Sequence, residues 1–311
     1  MRRALLVVLL CAAPARGLWF TSRATLNAPR KDFEAGRYLA VVADLQDRVG
    51  RLRSSEQAEG YLLLGQAQER LGRLDQALGV MQLAVRLHPK DINLLTELAV
   101  LLHRSGLEEQ AEPLFQKVLR IHPNNAVAHL GLAEIDHALG FLDRSAEHYE
   151  RALETMSDDA AVWRDYAEVL ISARDFKTAE LAARKSLSLR EDAEGLVDLA
   201  RAQRADGRLN DALAQLDLAV SRFPRRADLA MTRALWLLEA RREDDAAKAV
   251  EPLLAAPQPA PLAYWIRARV RLKRDQYRAA VDDLRRAAAA GRGSPFVAAA
   301  AKELLKQLGA E

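Results

Sequence analysis

The chain has 311 residues, half of them hydrophobic, 29% charged and 5% aromatic: enough apolar material for a folded core, and too long for one compact unit unless the fold is elongated. Its 46 lysines and arginines stand against 43 acidic residues, and the resulting +3 is too small an excess to argue for nucleic acid as a partner. A single cysteine, Cys11, excludes a disulfide framework and any zinc or iron–sulfur centre built on cysteines.

The N-terminus reads as an address. Met1-Arg2-Arg3 is a basic start, Ala4 to Ala13 is an unbroken apolar run, and Ala13-Pro14-Ala15 offers small residues for cleavage. Residues 1–15 are therefore expected to be a signal peptide or membrane-targeting segment, placing the mature chain outside the cell, in the periplasm or anchored to the envelope. The run is shorter than the roughly 20 residues that span a bilayer. Two alternatives stay open. One is membrane association through the N-terminus, by a retained anchor or by lipid on Cys11, although Leu10 stands where a lipid signal needs a small residue. The other is a cytoplasmic protein.

Residues 16–57 read as a linker and a degenerate half repeat, in which Gly36 takes a turn position and Leu45 a bulky apolar one. From residue 58 a period of 34 sets in, with one interval of 33. A small residue recurs at Ala77, Ala111, Ser145, Ala179, Ala212, Ala246 and Ala280. A second small series precedes it by 12 residues at Gly65, Ala99, Ala133, Ala167, Ala200, Ala234 and Ala268. Between them stand Gly72, Gly106, Gly140, Arg174, Gly207, Arg241 and Asp275. Helices packed about 8–10 Å apart need small residues at their crossing points, and the residue between two helices often takes φ > 0. The spacing thus predicts seven helix–turn–helix units at 58–91, 92–125, 126–159, 160–192, 193–226, 227–260 and 261–293. Pro89, Pro123 and Pro224 end second helices, while Pro113 and Pro252 fall inside them and are expected to bend or shorten them. Ala255 to Pro261 forms a proline-rich joint. Ser294-Pro295 opens a last helix over residues 294–311, apolar on one face, that caps the array.

Tyr61, Leu64, Gly65, Ala77, Met81, Ala84 and Pro89 of the first unit resemble the signature of the tetratricopeptide repeat family. That resemblance implies an all-α fold, a right-handed superhelical solenoid with a C-terminal capping helix. It also implies a concave groove lined by the second, fifth, ninth and twelfth residues of each unit. The groove candidates are Gln66, Thr96, His103, Leu130, His137, Arg164, Arg201, Arg204, Met231, Leu235, Trp265 and Arg269. The later units depart from the pattern, with Arg233 and Arg267 in place of the leucine of the first helix.

Catalytic chemistry finds little support. No phosphate loop, nucleophile elbow or HExxH motif occurs, and no cofactor or metal is expected. All six histidines lie between residues 88 and 148. His88 and His122 repeat at 34 residues as punctuation before a proline, and His103 and His137 repeat at a groove position, where a weak metal or pH-sensitive site is the competing reading. The segment Gly291 to Pro295 is read as plain capping rather than an anion site. The pairs Asp158-Asp159, Asp244-Asp245 and Asp282-Asp283 are read as solvated charge. The expectation is a non-enzymatic scaffold that binds a protein or peptide in its groove and assists assembly of an envelope, secretion or pilus machine. The alternatives are a cytoplasmic adaptor of the same fold and, behind it, a metal-binding or catalytic protein using the histidine-rich middle.

Overall fold

A computed structural model describes residues 25–256, 260–289 and 294–310; the signal segment, the middle of the proline-rich joint and residues 290–293 fall outside that range. Every regular element among the described residues is helical. The chain forms two units, one ending at Leu114 and the other beginning at Phe115.

The first unit opens with the half repeat, α1 (Asn27–Glu34) and α2 (Tyr38–Leu45), joined through Gly36 at φ +70°. A single 3-10 turn at Val49–Arg51 leads to α3 (Ser54–Arg70), which pairs with α4 (Leu74–Leu87); α5 (Ile92–Arg104) follows, and α6 (Glu108–Ile121) carries the boundary between units. The second unit continues with α7 (Ala126–Ala138) and α8 (Leu142–Leu153), α9 (Ala160–Ser172) and α10 (Phe176–Leu189), α11 (Ala193–Ala205) and α12 (Leu209–Arg222). It ends with α13 (Ala227–Glu239) and α14 (Glu243–Leu254), α15 (Pro261–Lys273) and α16 (Tyr277–Ala288), and the lone α17 (Pro295–Gln307).

Packing within a repeat follows from the small residues. Ala77, Ala111, Ser145, Ala179, Ala212, Ala246 and Ala280 are fully buried, as are the alanines of the second series. In repeat 3 the two positions meet directly: the Ser145 hydroxyl donates to the Ala133 carbonyl at 2.8 Å. In repeat 1 a Cβ added to Gly65 would lie 2.4 Å from Met81 Sδ, so the sulfur occupies the space a side chain would need. All seven turn residues have positive φ, from +57° to +80°, and that includes Arg174, Arg241 and Asp275, where no glycine relieves the strain.

Pro113 does not shorten its helix, and the helix of Pro252 is as short as one without an internal proline. α6 keeps the 14 residues of α4, and α14 the 12 of α8. At Pro113 the lost hydrogen bond belongs to the carbonyl of exposed Glu109, which water can satisfy.

One expectation is overturned. Asp283 is not solvated charge: it is 1% exposed and receives Arg267 at 2.8 Å through both Nε and Nη2, and Arg271 Nη1 at 2.7 Å. A carboxylate can be buried there because two guanidiniums, each with a side chain about one quarter exposed, reach it from the first helix of its own repeat.

The eleventh residue of each repeat alternates in kind. Gln68, Asp136, Gln203 and Arg271 hold it in repeats 1, 3, 5 and 7, and buried Leu102, Leu170 and Leu237 hold it in repeats 2, 4 and 6. The polar members need partners. Gln203 donates to Glu180 at 3.0 Å, and Glu180, itself buried, also receives Arg184 and Arg208.

Candidate functional site: the faces of the first helices

First helices touch first helices, α3 with α5 in the first unit and α9 with α11 and α13 with α15 in the second. The second helices α8, α10, α12, α14 and α16 make no comparable contact with one another, so the first helices form the inner layer. That layer carries the groove candidates.

In the first unit Gln66 is half-buried on α3 and donates through Nε2 to Glu97 on α5 at 3.0 Å. Burial pushes the Glu97 carboxyl up, against the pull of that hydrogen bond. Thr96 is also half-buried, its Oγ1 enclosed without a partner, and His103 lies half-buried late in α5. His103 and His137 belong to different units.

In the second unit α7 presents Leu130, Glu134 and His137, all half-buried. On α9 and α11 the layer is crowded with charge. Burial pushes the carboxyls of Asp165 and Asp198 up; Arg164 and Arg201 oppose the shift, and Glu168 adds to it in both cases. Arg201 reaches Asp198 at 3.4 Å and Glu168 at 3.6 Å. Arg204 is more firmly held: it pairs with Glu239 on α13 at 2.7 Å, and its Cζ stands 4.9 Å from the centre of the buried Trp236 ring.

Toward the C-terminus the layer turns apolar. Met231 and Leu235 on α13 are half-buried. Trp265 on α15 packs against two core clusters, one containing Leu284 and Leu305, the other Val250 and Ile266. Its Nε1 is buried with no partner, and the exposed Arg269 lies over its ring at 5.1 Å. Trp265 is therefore part of the packing and also supports a cation at the groove edge.

The expectations from sequence assign no role to His129 and His148, which the fold brings together: their Nδ1 atoms lie 2.9 Å apart. The signal was in the register. They hold the fourth and twenty-third residues of repeat 3, positions filled by Tyr61 and Val80 in repeat 1 and by Trp163 and Ala182 in repeat 4. Among the described residues no group of three histidine, cysteine or acidic side chains is placed to hold a metal.

A family model described as the tetratricopeptide repeat matches residues 58–101. Among curated proteins none matches the sequence. Solved structures resemble the fold. A tetratricopeptide repeat protein from Parabacteroides merdae gives a TM-score of 0.57 at 20% identity, over 80% of this chain and 97% of that one. The C-terminal part of a TPR repeat-containing protein from Cytophaga hutchinsonii gives 0.60 at 13%, over 75% and 95%. The protein pilF of Pseudomonas aeruginosa gives 0.50 at 19%, over 70% and 91%. One repeat matched in sequence, and the same helix pair recurring on the same small residues, give this chain the fold of tetratricopeptide repeat proteins.

Proposed function

We propose that the chain is a non-enzymatic scaffold whose second unit holds a protein segment along the inner face of its first helices. The observation that carries this reading is the change of character along that face. It runs from the half-buried carboxylates Asp165 and Asp198 to the apolar Met231, Leu235 and Trp265, edged by Arg269. A partner with a basic stretch followed by an apolar one would meet complementary surroundings in one direction only, which fixes its polarity. A cation laid beside Asp165 and Asp198 also relieves carboxylates that burial and Glu168 disfavour. By its N-terminal pattern the scaffold serves the cell envelope, where it helps assemble a larger machine such as a pilus or secretion apparatus.

The test is a pull-down from native envelope with the wild-type chain and with Trp265→Ala combined with Met231→Ala. A partner recovered by the wild type and lost from the double variant supports the reading, and unchanged recovery of every partner removes the apolar end from the site. N-terminal sequencing of the mature chain tests the location: a retained Met1 in a soluble cytoplasmic fraction overturns it.

A further inference from the structure

Repeat 3 contains a titratable pair on the side of α7 turned toward α8. His129 is 8% exposed and His148 half-buried. His129 Nε2 lies 2.8 Å from the Pro123 carbonyl oxygen, which can only accept, so that nitrogen carries a hydrogen. In neutral His129 the Nδ1 is then bare, and the hydrogen in the 2.9 Å Nδ1–Nδ1 contact belongs to His148. His148 Nε2 is left bare in turn. It faces Asp136 Oδ2 at 3.9 Å, on a carboxylate that is 2% exposed and whose other oxygen receives Arg144 at 3.0 Å.

A proton has one good place to go. On His148 Nε2 it sets an ion pair with Asp136 at 3.9 Å, while His148 donates to His129 and His129 donates to Pro123. A second proton finds only His129 Nδ1, where it sets one N–H against another at hydrogen-bond distance. We propose that His129 and His148 form a one-proton site: folded repeat 3 takes up a single proton at this pair and has to part the two rings to take a second.

A metal ion does not fit between them. The ring centroids are 5.2 Å apart, close to the largest separation that a 2.9 Å nitrogen contact allows, so the two Nδ1 atoms point straight at each other. An ion in line between them would need the nitrogens ~4 Å apart, twice a metal–imidazole bond of ~2.0 Å, and an ion to one side would need the rings to converge on it.

The surroundings fix the direction of the response. His129 and Asp136 face His148 from α7, and Glu147 and Arg144 act on it from its own helix. Burial first, then His129, and to a lesser extent Arg144 hold the His148 imidazole below its ordinary range, while Glu147 opposes them. In the unfolded chain both rings protonate near ~6.5, so below that pH the unfolded state binds more protons than the folded one. Stability therefore falls as pH drops through the mildly acidic range. The effect reaches function through α7, whose inner face carries Leu130, Glu134 and His137.

Nitrogen-15 NMR of the imidazoles in the full chain, titrated from about pH 7.5 to about pH 5, tests this. The expected result is one proton gained by the two rings together, with the His129 Nε2 hydrogen retained throughout. Two independent titrations near the ordinary histidine value overturn the proposal. So does zinc that shifts both Nδ1 signals at one equivalent, which makes the pair a metal site instead. His148→Gln keeps an N–H for His129 and removes the titration, so the fall in Tm between the same two pH values should shrink relative to wild type; an equal fall in both proteins also overturns the proposal.

Discussion

Repeats 2 to 5 and repeats 6 to 7 share one register, yet they are held together differently. Asp91, Asn125, Asp159 and Asp192 each accept a backbone N–H at the start of a first helix, and the seventh residue is Leu98, Leu132, Tyr166 or Leu199, all buried. In repeats 6 and 7 the cap positions are Arg226 and Ala260 without a side-chain bond, the seventh residues are Arg233 and Arg267, and neither turn is glycine, whereas in repeats 2 to 5 only Arg174 departs from glycine. Ion pairs make up for part of that loss: Arg233 pairs with Asp217, and Arg267 and Arg271 with Asp283. Small residues at the helix crossings are common to both regions, so they set the architecture, and the way the remaining contacts are made is free to change.

The largest effect should come from Asp283→Ala. It leaves two arginines facing a carboxylate that is gone, and the loss should be about 3–5 kcal/mol. Hydrogen exchange in α15 and α16 reads it locally, which suits an array in which each repeat leans on its neighbours. A change under about 1 kcal/mol would place Asp283 with ordinary surface pairs. Next comes Gly131→Ala in the other region, where the new Cβ would sit 2.3 Å from Phe115 Cζ. Overpacking of this kind costs about 1–3 kcal/mol, visible as a lower urea midpoint. Caps give a smaller and opposite pair: Asn125→Ala should cost about 1 kcal/mol, and Ala260→Asp should gain a similar amount by giving α15 the cap it lacks. Smallest is Arg241→Gly, expected to gain about 0.5–1 kcal/mol by removing a side chain from a left-handed turn, as a modest rise in Tm. If both gains fail, the C-terminal repeats are already adjusted to their own residues and the contrast between the two regions loses its meaning.

The helix pairs were legible in the sequence because their determinants are periodic and local: small residues at fixed intervals, and a turn residue between them. Even Arg174, Arg241 and Asp275 could be placed, since register rather than residue type marked them. Asp283 was misjudged because adjacent acids look the same on an exposed face and in a buried one. What distinguishes it is a pair of arginines 16 and 12 residues earlier, a combination that no other repeat carries at those two positions. His129 and His148 were missed for a related reason. Counting histidines along the chain favours repeats of the same position, whereas these two meet across the helix pair, 19 residues apart. The candidate groove residues were located by register alone. The structure adds that Arg204 is tied to Glu239 and Trp236, and that Trp265 is partly core.

The alternation at the eleventh residue has an evolutionary consequence. Gln68 and Asp136 stand 68 residues apart, as do Gln203 and Arg271, with a leucine repeat between the members of each pair. A sequence copied or deleted by one repeat would bring two polar layers, or two leucine layers, next to each other, whereas a change by two repeats preserves the order. The natural step by which an array of this kind grows or shrinks is then the double repeat, and shortened variants should tolerate loss of two adjacent repeats better than loss of one.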